Sequence, residues 1–252
     1  MPLASRRAQR SSCAELPQPG PREPLYPALQ AAYVDAMSPK PPIALEDRAL
    51  SGARLTSPSA GRNRDVIART LSEILRPGAR VLEIASGTGE HALACVRARS
   101  DIGWQPSDPD AASRASIDDW AREAEGRIAP ALDLDTTVAD WQDAVSGPVT
   151  SVFCANMIHI APWEAAIGLV EGCSALLKEG GQLIFYGPFL EGSGSAASNL
   201  DFDASLKSRD PRWGVRALEE VQALAARHGF ALKQRIAMPA SNLTLIFEKG
   251  AS

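Results

Sequence analysis

From about residue 57 the sequence predicts an α/β domain: a mostly parallel sheet of seven strands, helices on both faces, and an antiparallel hairpin at the carboxyl end. Three observations carry this. Apolar residues switch repeatedly between helical and strand periods along the chain, and most strand-like runs are separated by enough residues for a crossover helix. The exception is the last pair, 231–238 and 243–248, joined only by Pro239-Ala240-Ser241-Asn242, which is too short for a crossover and long enough for a hairpin.

Each element has its own signal. Val66, Ile67, Leu71, Ile74 and Leu75 form a helical stripe over 62–75 that stops at Pro77-Gly78. The first strand follows at Val81, then a helix over 90–99, a strand over 102–107, and a helix over 111–125 for which Asp110 is the expected cap. A short third strand ends near Leu132-Asp133-Leu134. After Asp140-Trp141 and the turn at Gly147-Pro148, 149–156 is almost continuously apolar, as befits a strand buried on both faces. Pro162 opens a helix that runs to 178. Gly180-Gly181 turns the chain into a strand over 182–186, and a helix over 217–227 ends at Gly229.

Residues 1–55 are set apart. They hold about half of the 19 prolines and no sustained apolar period, so they are expected to be a disordered extension to a domain spanning 56–250. Arg6, Arg7 and Arg10, with serines and no acid among the first fourteen residues, suit a basic tail or a targeting segment. Met37 before Ser-Pro-Lys-Pro-Pro suits a later start, and all three readings stay open.

Composition narrows the function. A chain of 252 residues can bury a full core, and no run of about 18 apolar residues offers a membrane span. The formal charge of −4 supplies no general attraction to nucleic acid, which leaves a small-molecule partner as the expectation. Cys13, Cys95, Cys154 and Cys173 lie far apart with no Cys-x-x-Cys pair and read as core residues of a reducing, cytoplasmic compartment. His91, His159 and His228 are too scattered to suggest a metal site. Oligomeric state leaves no mark.

The most informative stretch is Val81-Leu82-Glu83-Ile84-Ala85-Ser86-Gly87-Thr88-Gly89-Glu90-His91, an apolar strand ending in an acid and two glycines turning into a helix. Glycines let backbone approach a ligand closely, and a helix start favours an anion. Gly87-x-Gly89-x-x-Ala92, with Asp108 about twenty residues on, also fits a dinucleotide pattern. A pyrophosphate docked there would meet Glu90 and lie near Glu83. S-adenosyl-L-methionine carries no phosphate; its amino and sulfonium groups are cationic, which turns Glu83 into an asset, and its one carboxylate is small enough to use the turn's amides. The charges therefore favour adenosylmethionine, with a nicotinamide or flavin dinucleotide as competitor.

The mostly parallel sheet closed by a hairpin resembles the Rossmann-like class I adenosylmethionine-dependent methyltransferases over about residues 57–249. Within them the chain is similar to an uncharacterised methyltransferase-like family once filed as a domain of unknown function. The likeness rests on Ser57-Pro58 with Arg62-Asn63, on the stretch from Glu83 to His91, on Trp104-Gln105-Pro106-Ser107-Asp108, on Phe153-Cys154-Ala155-Asn156-Met157-Ile158-His159-Ile160, on Tyr186-Gly187-Pro188-Phe189 and on Asp210-Pro211-Arg212-Trp213-Gly214. It implies an adenosylmethionine-binding fold with no established acceptor. It departs from the broad class pattern at the first loop glycine, which is Ala85 here.

Chemistry then assigns candidate roles. Asp108, at a strand's carboxyl end, suits both ribose hydroxyls. Asp133, with Asp135 as rival, suits the adenine amino group, and Arg62 and Asn63 either close over the methionine end or cap a helix. The resemblance suggests that Glu83 holds the cofactor through the loop (Ala85, Gly87, Gly89) or the amino group. Methyl transfer is an in-line displacement that needs an aligned acceptor and excluded water. At the fourth strand's exit, Asn156 offers a carbonyl to an acceptor amine or hydroxyl, and His159 is either a general base or a hydrogen-bonded residue positioning the loop before Pro162 and Trp163. Asn156-Met157-Ile158-His159 lacks the Asn-Pro-Pro-Tyr arrangement of amino-directed methyltransferases, so nitrogen is not carried over as the acceptor atom. The excursion 187–213, with Asn199, Phe202, Asp203, Arg209 and Trp213, is expected to form a lid or acceptor wall, Trp213 either stacking on a flat acceptor or packing the lid down.

Overall fold

The computed structural model describes residues 49–251. The readings made for 1–48, including Cys13 and the basic segment, lie outside the described residues. The described chain opens with a hairpin, Ala49–Ser51 (β1) and Arg54–Thr56 (β2). The hairpin is fastened to the domain: Arg54 lies 4.0 Å over the Trp120 ring and donates to Asp119, while the Trp120 indole donates to the Leu55 carbonyl.

Helix α1 spans Pro58–Ile74. It begins before the apolar stripe because Pro58 needs no N–H partner in a first turn, and the Glu90 carboxylate takes the N–H of Ser57 at 2.8 Å. There follow β3 (Arg80–Ile84), α2 (Glu90–Ala98), β4 (Gly103–Pro106) and α3 (Ala111–Ala121). Asp110 caps α3 by accepting the N–H of Ser113 at 2.8 Å. Then come β5 (Ser151–Ala155), α4 (Trp163–Leu176), β6 (Gln182–Pro188), α5 (Ala197–Arg209), α6 (Leu218–Arg227), β7 (Phe230–Met238) and β8 (Asn242–Lys249).

The main sheet runs β4-β3-β5-β6-β8-β7. The first four are mutually parallel and β8 is antiparallel to both neighbours, as the short final connection required. The expected seven strands become six. The segment meant to be the third pairs with the β4 edge only through isolated bridges, Trp104 to Ile128 and Ser107 to Leu132. The cause is Pro106, which has no N–H to continue the ladder. The Ala129 N–H bonds the Trp104 carbonyl and the next bond comes from Leu132 to Pro106, one residue out of step.

Side chains alternate across β3 and β5 and build a core on each face. Leu82, Ile84, Val152 and Cys154 pack with Leu169, Val170 and Leu224 of α4 and α6. Val81 and Phe153 pack with Ile67, Leu71 and Val96 of α1 and α2. Cys95, Cys154 and Cys173 are free thiols inside these cores. The connections leaving β3 and β5 thus depart to opposite faces, which opens a crevice at the carboxyl ends of these two strands.

The excursion after β6 contains α5, an element the sequence pattern did not reveal. Its Leu206 forms a small separate core with Trp213 and Val215, against Ile160 and Leu190. Among the described residues no helix is long and apolar enough to cross a membrane.

Candidate functional site

The crevice floor is the turn from β3 into α2. Ala85, Gly87 and Gly89 all adopt positive φ, at 54°, 60° and 91°. Gly89 also needs to be glycine for space, since a Cβ there would lie 2.8 Å from the Ile117 Cα. Ala85 holds the left-handed conformation despite its Cβ, a strain of roughly 1 kcal/mol.

Asp108, buried at the end of β4, accepts the Gly87 N–H on Oδ2 and the Asp110 N–H on Oδ1, both at 2.9 Å. The Ser86 N–H goes to the Ser107 carbonyl and the Gly89 N–H to the Ser86 carbonyl. Three loop amides that a bound anion would need are therefore spent within the protein. That revises the expectation of a ligand carboxylate on the turn. It also supplies a geometric reason against a pyrophosphate.

Glu83 is 1% exposed beneath this loop. The Trp104 indole donates to its Oε2 at 2.9 Å, and its Oε1 is buried without a hydrogen-bond partner. Burial raises its pKa to about 7, opposed by the Trp104 hydrogen bond. Glu90 has turned away from the turn. It holds Ser57, Thr88 and Arg64, the last at 2.7 Å, so the carboxyl beneath the turn is that of Glu83. His91 Nε2 lies 2.8 Å from the Asn63 carbonyl oxygen, and its Nδ1 lies 3.9 Å from Glu83 Oε1. Burial, then Arg64, lowers the His91 pKa to about 4, which leaves the ring neutral.

Asn156 follows β5 with φ 61°, and its N–H bonds the Tyr186 carbonyl. His159 is 1% exposed. Its Nδ1 accepts the Arg216 N–H at 3.2 Å, its carbonyl accepts the Gly214 N–H, and its Nε2 is buried without a partner. An imidazole that accepts at Nδ1 carries its proton on Nε2. Burial, then Arg216, holds its pKa down to about 3. Of the two roles open from the sequence, this geometry favours positioning over base. A Cβ on Gly187 would sit 2.7 Å from His159 Nε2 and 3.1 Å from Asn156 Oδ1, so the imidazole and the carboxamide converge where β6 carries no side chain.

The remaining candidates are more scattered. Asp133 is 70% exposed at its side chain and pairs with Arg114, which also donates to the Asp108 carbonyl. Its rival Asp135 accepts from the N–H and hydroxyl of Thr137. Arg62 is exposed on the first turns of α1, one residue before Asn63. Asn199 is buried and donates to the carbonyls of Phe189 and Ser241, tying α5 to the hairpin rather than facing the crevice. Trp213 packs in the small core of the excursion. Trp163 lies under the Arg216 guanidinium, 5.3 Å from ring centroid to cation. Arg216 itself donates to the carbonyls of Ile158 and Ala161 and so staples the His159 turn. Sequence reasoning passed over Arg216 because it belongs to no motif. It also passed over the pairing of His91 with Glu83, although the fixed Glu83-to-His91 spacing was visible.

A model of the family described as "Protein of unknown function (DUF938)" matches residues 54–249. Among solved structures, the chain is similar to an O-methyltransferase family protein from Burkholderia thailandensis, at 15% identity and TM-score 0.65, with 77% of this chain and 57% of that one covered. It is similar to a methyltransferase of calicheamicin biosynthesis in its SAH-bound form, at 13% identity and TM-score 0.64, covering 76% and 54%. It is also similar to an O-methyltransferase family 2 protein from Planctomyces limnophilus in complex with apigenin, at 18% identity and TM-score 0.63, covering 76% and 60%. The chain thus spans less than two thirds of the length of these structures. At such identities what is shared is the fold.

Proposed function

The chain belongs to the DUF938 family, within the class I methyltransferase fold, and from that premise we propose that it binds S-adenosyl-L-methionine and transfers its methyl group to a small-molecule acceptor. The observation that carries this reading is the spent loop: Ser86, Gly87 and Gly89 give their amides to Ser107, Asp108 and Ser86, so these three amides are withdrawn from a pyrophosphate nest. An acidic floor at Glu83 suits a cationic nucleoside instead. Asp108 would take the ribose hydroxyls on its carboxylate, and Glu83 would face the amino-acid end. When bound, the cofactor supplies an activated methyl group for in-line displacement.

The chain's own residues do the rest. Asn156 orients the acceptor through its carboxamide oxygen, and His159 acts as a hydrogen-bond donor that positions that end of the crevice, held in place by Arg216. Acceptors that arrive already nucleophilic suit a site whose histidine stays neutral with its proton on Nε2.

The first experiment is a thermal-shift comparison on the full chain. Adenosylmethionine or adenosylhomocysteine at about a hundredfold excess over Kd is expected to add about 2.7 kcal/mol, several degrees in Tm, while NAD and NADP leave it unchanged. A rise with NAD or NADP and none with the two adenosyl compounds would overturn the reading. A cofactor-binding protein that regulates a partner without transferring methyl would bind equally well. It would form no adenosylhomocysteine with any metabolite fraction, and Asn156 and His159 substitutions would leave its behaviour unaltered.

A further inference from the structure

Glu83 Oε1, buried without a hydrogen-bond partner, and His91 Nδ1 face each other below the cofactor loop. The Trp104 indole fixes Glu83 Oε2, which turns Oε1 towards α2. Asn63 Oδ1 only accepts, so the His91 proton lies on Nε2 and Nδ1 is a bare lone pair. Nδ1 and Oε1 stand 3.9 Å apart, too far to bond directly, but one nitrogen at ordinary hydrogen-bond distance from each satisfies both. The His91 side chain keeps 12% of its surface exposed, while that of Glu83 keeps 2%.

We propose that Glu83 Oε1 and His91 Nδ1 together form the seat for the ammonium group of the bound adenosyl cofactor, and that filling this seat drives the proton of the Glu83 carboxyl into solvent. The inference rests on the adenosylmethionine reading above and adds to it a residue, His91, and a proton.

The surroundings bear out the direction. Facing Glu83 are His91 and Cys95 from α2, Trp104 of β4, Asp108 after β4 and Cys154 of β5, with Arg64 of α1 behind His91. Both thiols are neutral, because burial pushes their pKa values up, that of Cys154 to about 12. Arg64 is held by Glu90, and the nearby charge of Asp108 is negative. Burial, with the charge of Asp108, raises the Glu83 carboxyl pKa to about 7 and outweighs the Trp104 and Ser86 hydrogen bonds, which favour the ionised form. A bound ammonium, which an α-amino group carries below its own pKa of about 8, reverses this. The O–H bond of the carboxyl breaks, its proton passes to the buffer, and the carboxylate pairs with the ammonium.

Calorimetry at pH 6.5 in two buffers of different ionisation enthalpy counts that proton. Adenosylhomocysteine, which carries the amino acid, is expected to release about three quarters of a proton per molecule bound. 5′-Methylthioadenosine, which keeps the nucleoside and thioether but has no ammonium, is expected to release none. Glu83→Gln is expected to abolish the release while leaving methylthioadenosine affinity unchanged. His91→Phe is expected to narrow the preference for adenosylhomocysteine over methylthioadenosine about tenfold, an effect a merely structural residue would not confine to one ligand. Equal release with both ligands, or none with bound adenosylhomocysteine, overturns the inference and leaves the cofactor assignment standing. Absence of any adenosylhomocysteine binding overturns the cofactor assignment and the inference with it.

Discussion

The two ends of the crevice each bury one polar atom without a partner, and the two atoms have opposite character. Under the β3 turn it is Glu83 Oε1, an acceptor once the carboxyl is ionised; after β5 it is His159 Nε2, a donor. An unmade hydrogen bond of this kind costs about 1–3 kcal/mol, which a fold retains where a ligand completes the bond. Under the proposed function, the difference suits a cation at the cofactor end and an atom with a lone pair at the acceptor end. The supports differ too. The β3 turn is fixed by backbone bonds within itself and to Ser107, and by Asp108 beside it, whereas the His159 turn hangs on Arg216, 57 residues away in sequence.

The sharpest way to break the comparison is at Asp108. Asp108→Ala removes two charge-assisted bonds from the turn and the proposed ribose contact, and is expected to weaken adenosylhomocysteine binding by about a hundredfold, read by calorimetry. Unchanged affinity would detach the turn from the cofactor. His159→Phe tests the other end: methyl transfer is expected to fall about tenfold to a hundredfold in kcat/KM with cofactor affinity within about twofold, and the pH profile of kcat should gain or lose no limb near neutrality. A limb that disappears would make His159 a base after all.

Acid and base titration sets the two groups against each other. Glu83 has its folded pKa raised from 4.5 to about 7, so the native state holds its proton longer, and its burial costs stability progressively as pH rises through that window. His91 and His159 have theirs lowered from 6.5 to about 4 and about 3, so the stability of their neutral forms is present above 6.5 and is lost as pH falls. Between 4.5 and 6.5 two histidine slopes oppose one carboxyl slope. The cofactor-free protein should be most stable near pH 6.5, and Glu83→Gln should gain roughly 3 kcal/mol above pH 7, measured by denaturant midpoints. A wild-type optimum well above pH 7 would show that Glu83 is ionised without cost.

Packing around the crevice gives smaller effects. A Cβ on Gly168 of α4 would lie 1.9 Å from the Thr136 carbonyl oxygen, so Gly168→Ala should cost about 1–3 kcal/mol and displace the segment after Asp133. Smallest is Ala85→Gly, which relieves a left-handed alanine and should raise stability by up to about 1 kcal/mol in thermal unfolding. A loss instead would mean that the Cβ of Ala85 supports the turn.

What the sequence determined by itself is local or periodic. The alternation of helix and strand, the parallel sheet with its final hairpin, the cap at Asp110 and the glycine turn after β3 follow from residue spacing and from which residues tolerate positive φ, and all were legible. The third strand was not, because whether Pro106 breaks a ladder depends on which strand lies opposite it. Helix α5 escaped because only Leu206 of its large apolar residues packs in the small separate core, while Leu200 and Phe202 are exposed and leave no apolar stripe. The site divides along the same line. Glu83, Ala85, Gly87, Gly89 and Asp108 announced themselves by lying in one strand–turn–helix and at the end of the next strand. The proton on His159, the seat between His91 and Glu83, and the removal of Asn199 and Trp213 into structural work were decided only in three dimensions. Hydrogen-bond direction and burial are properties of neighbours, and those neighbours lie 8 residues away at Glu83 and His91 but 57 at His159 and Arg216.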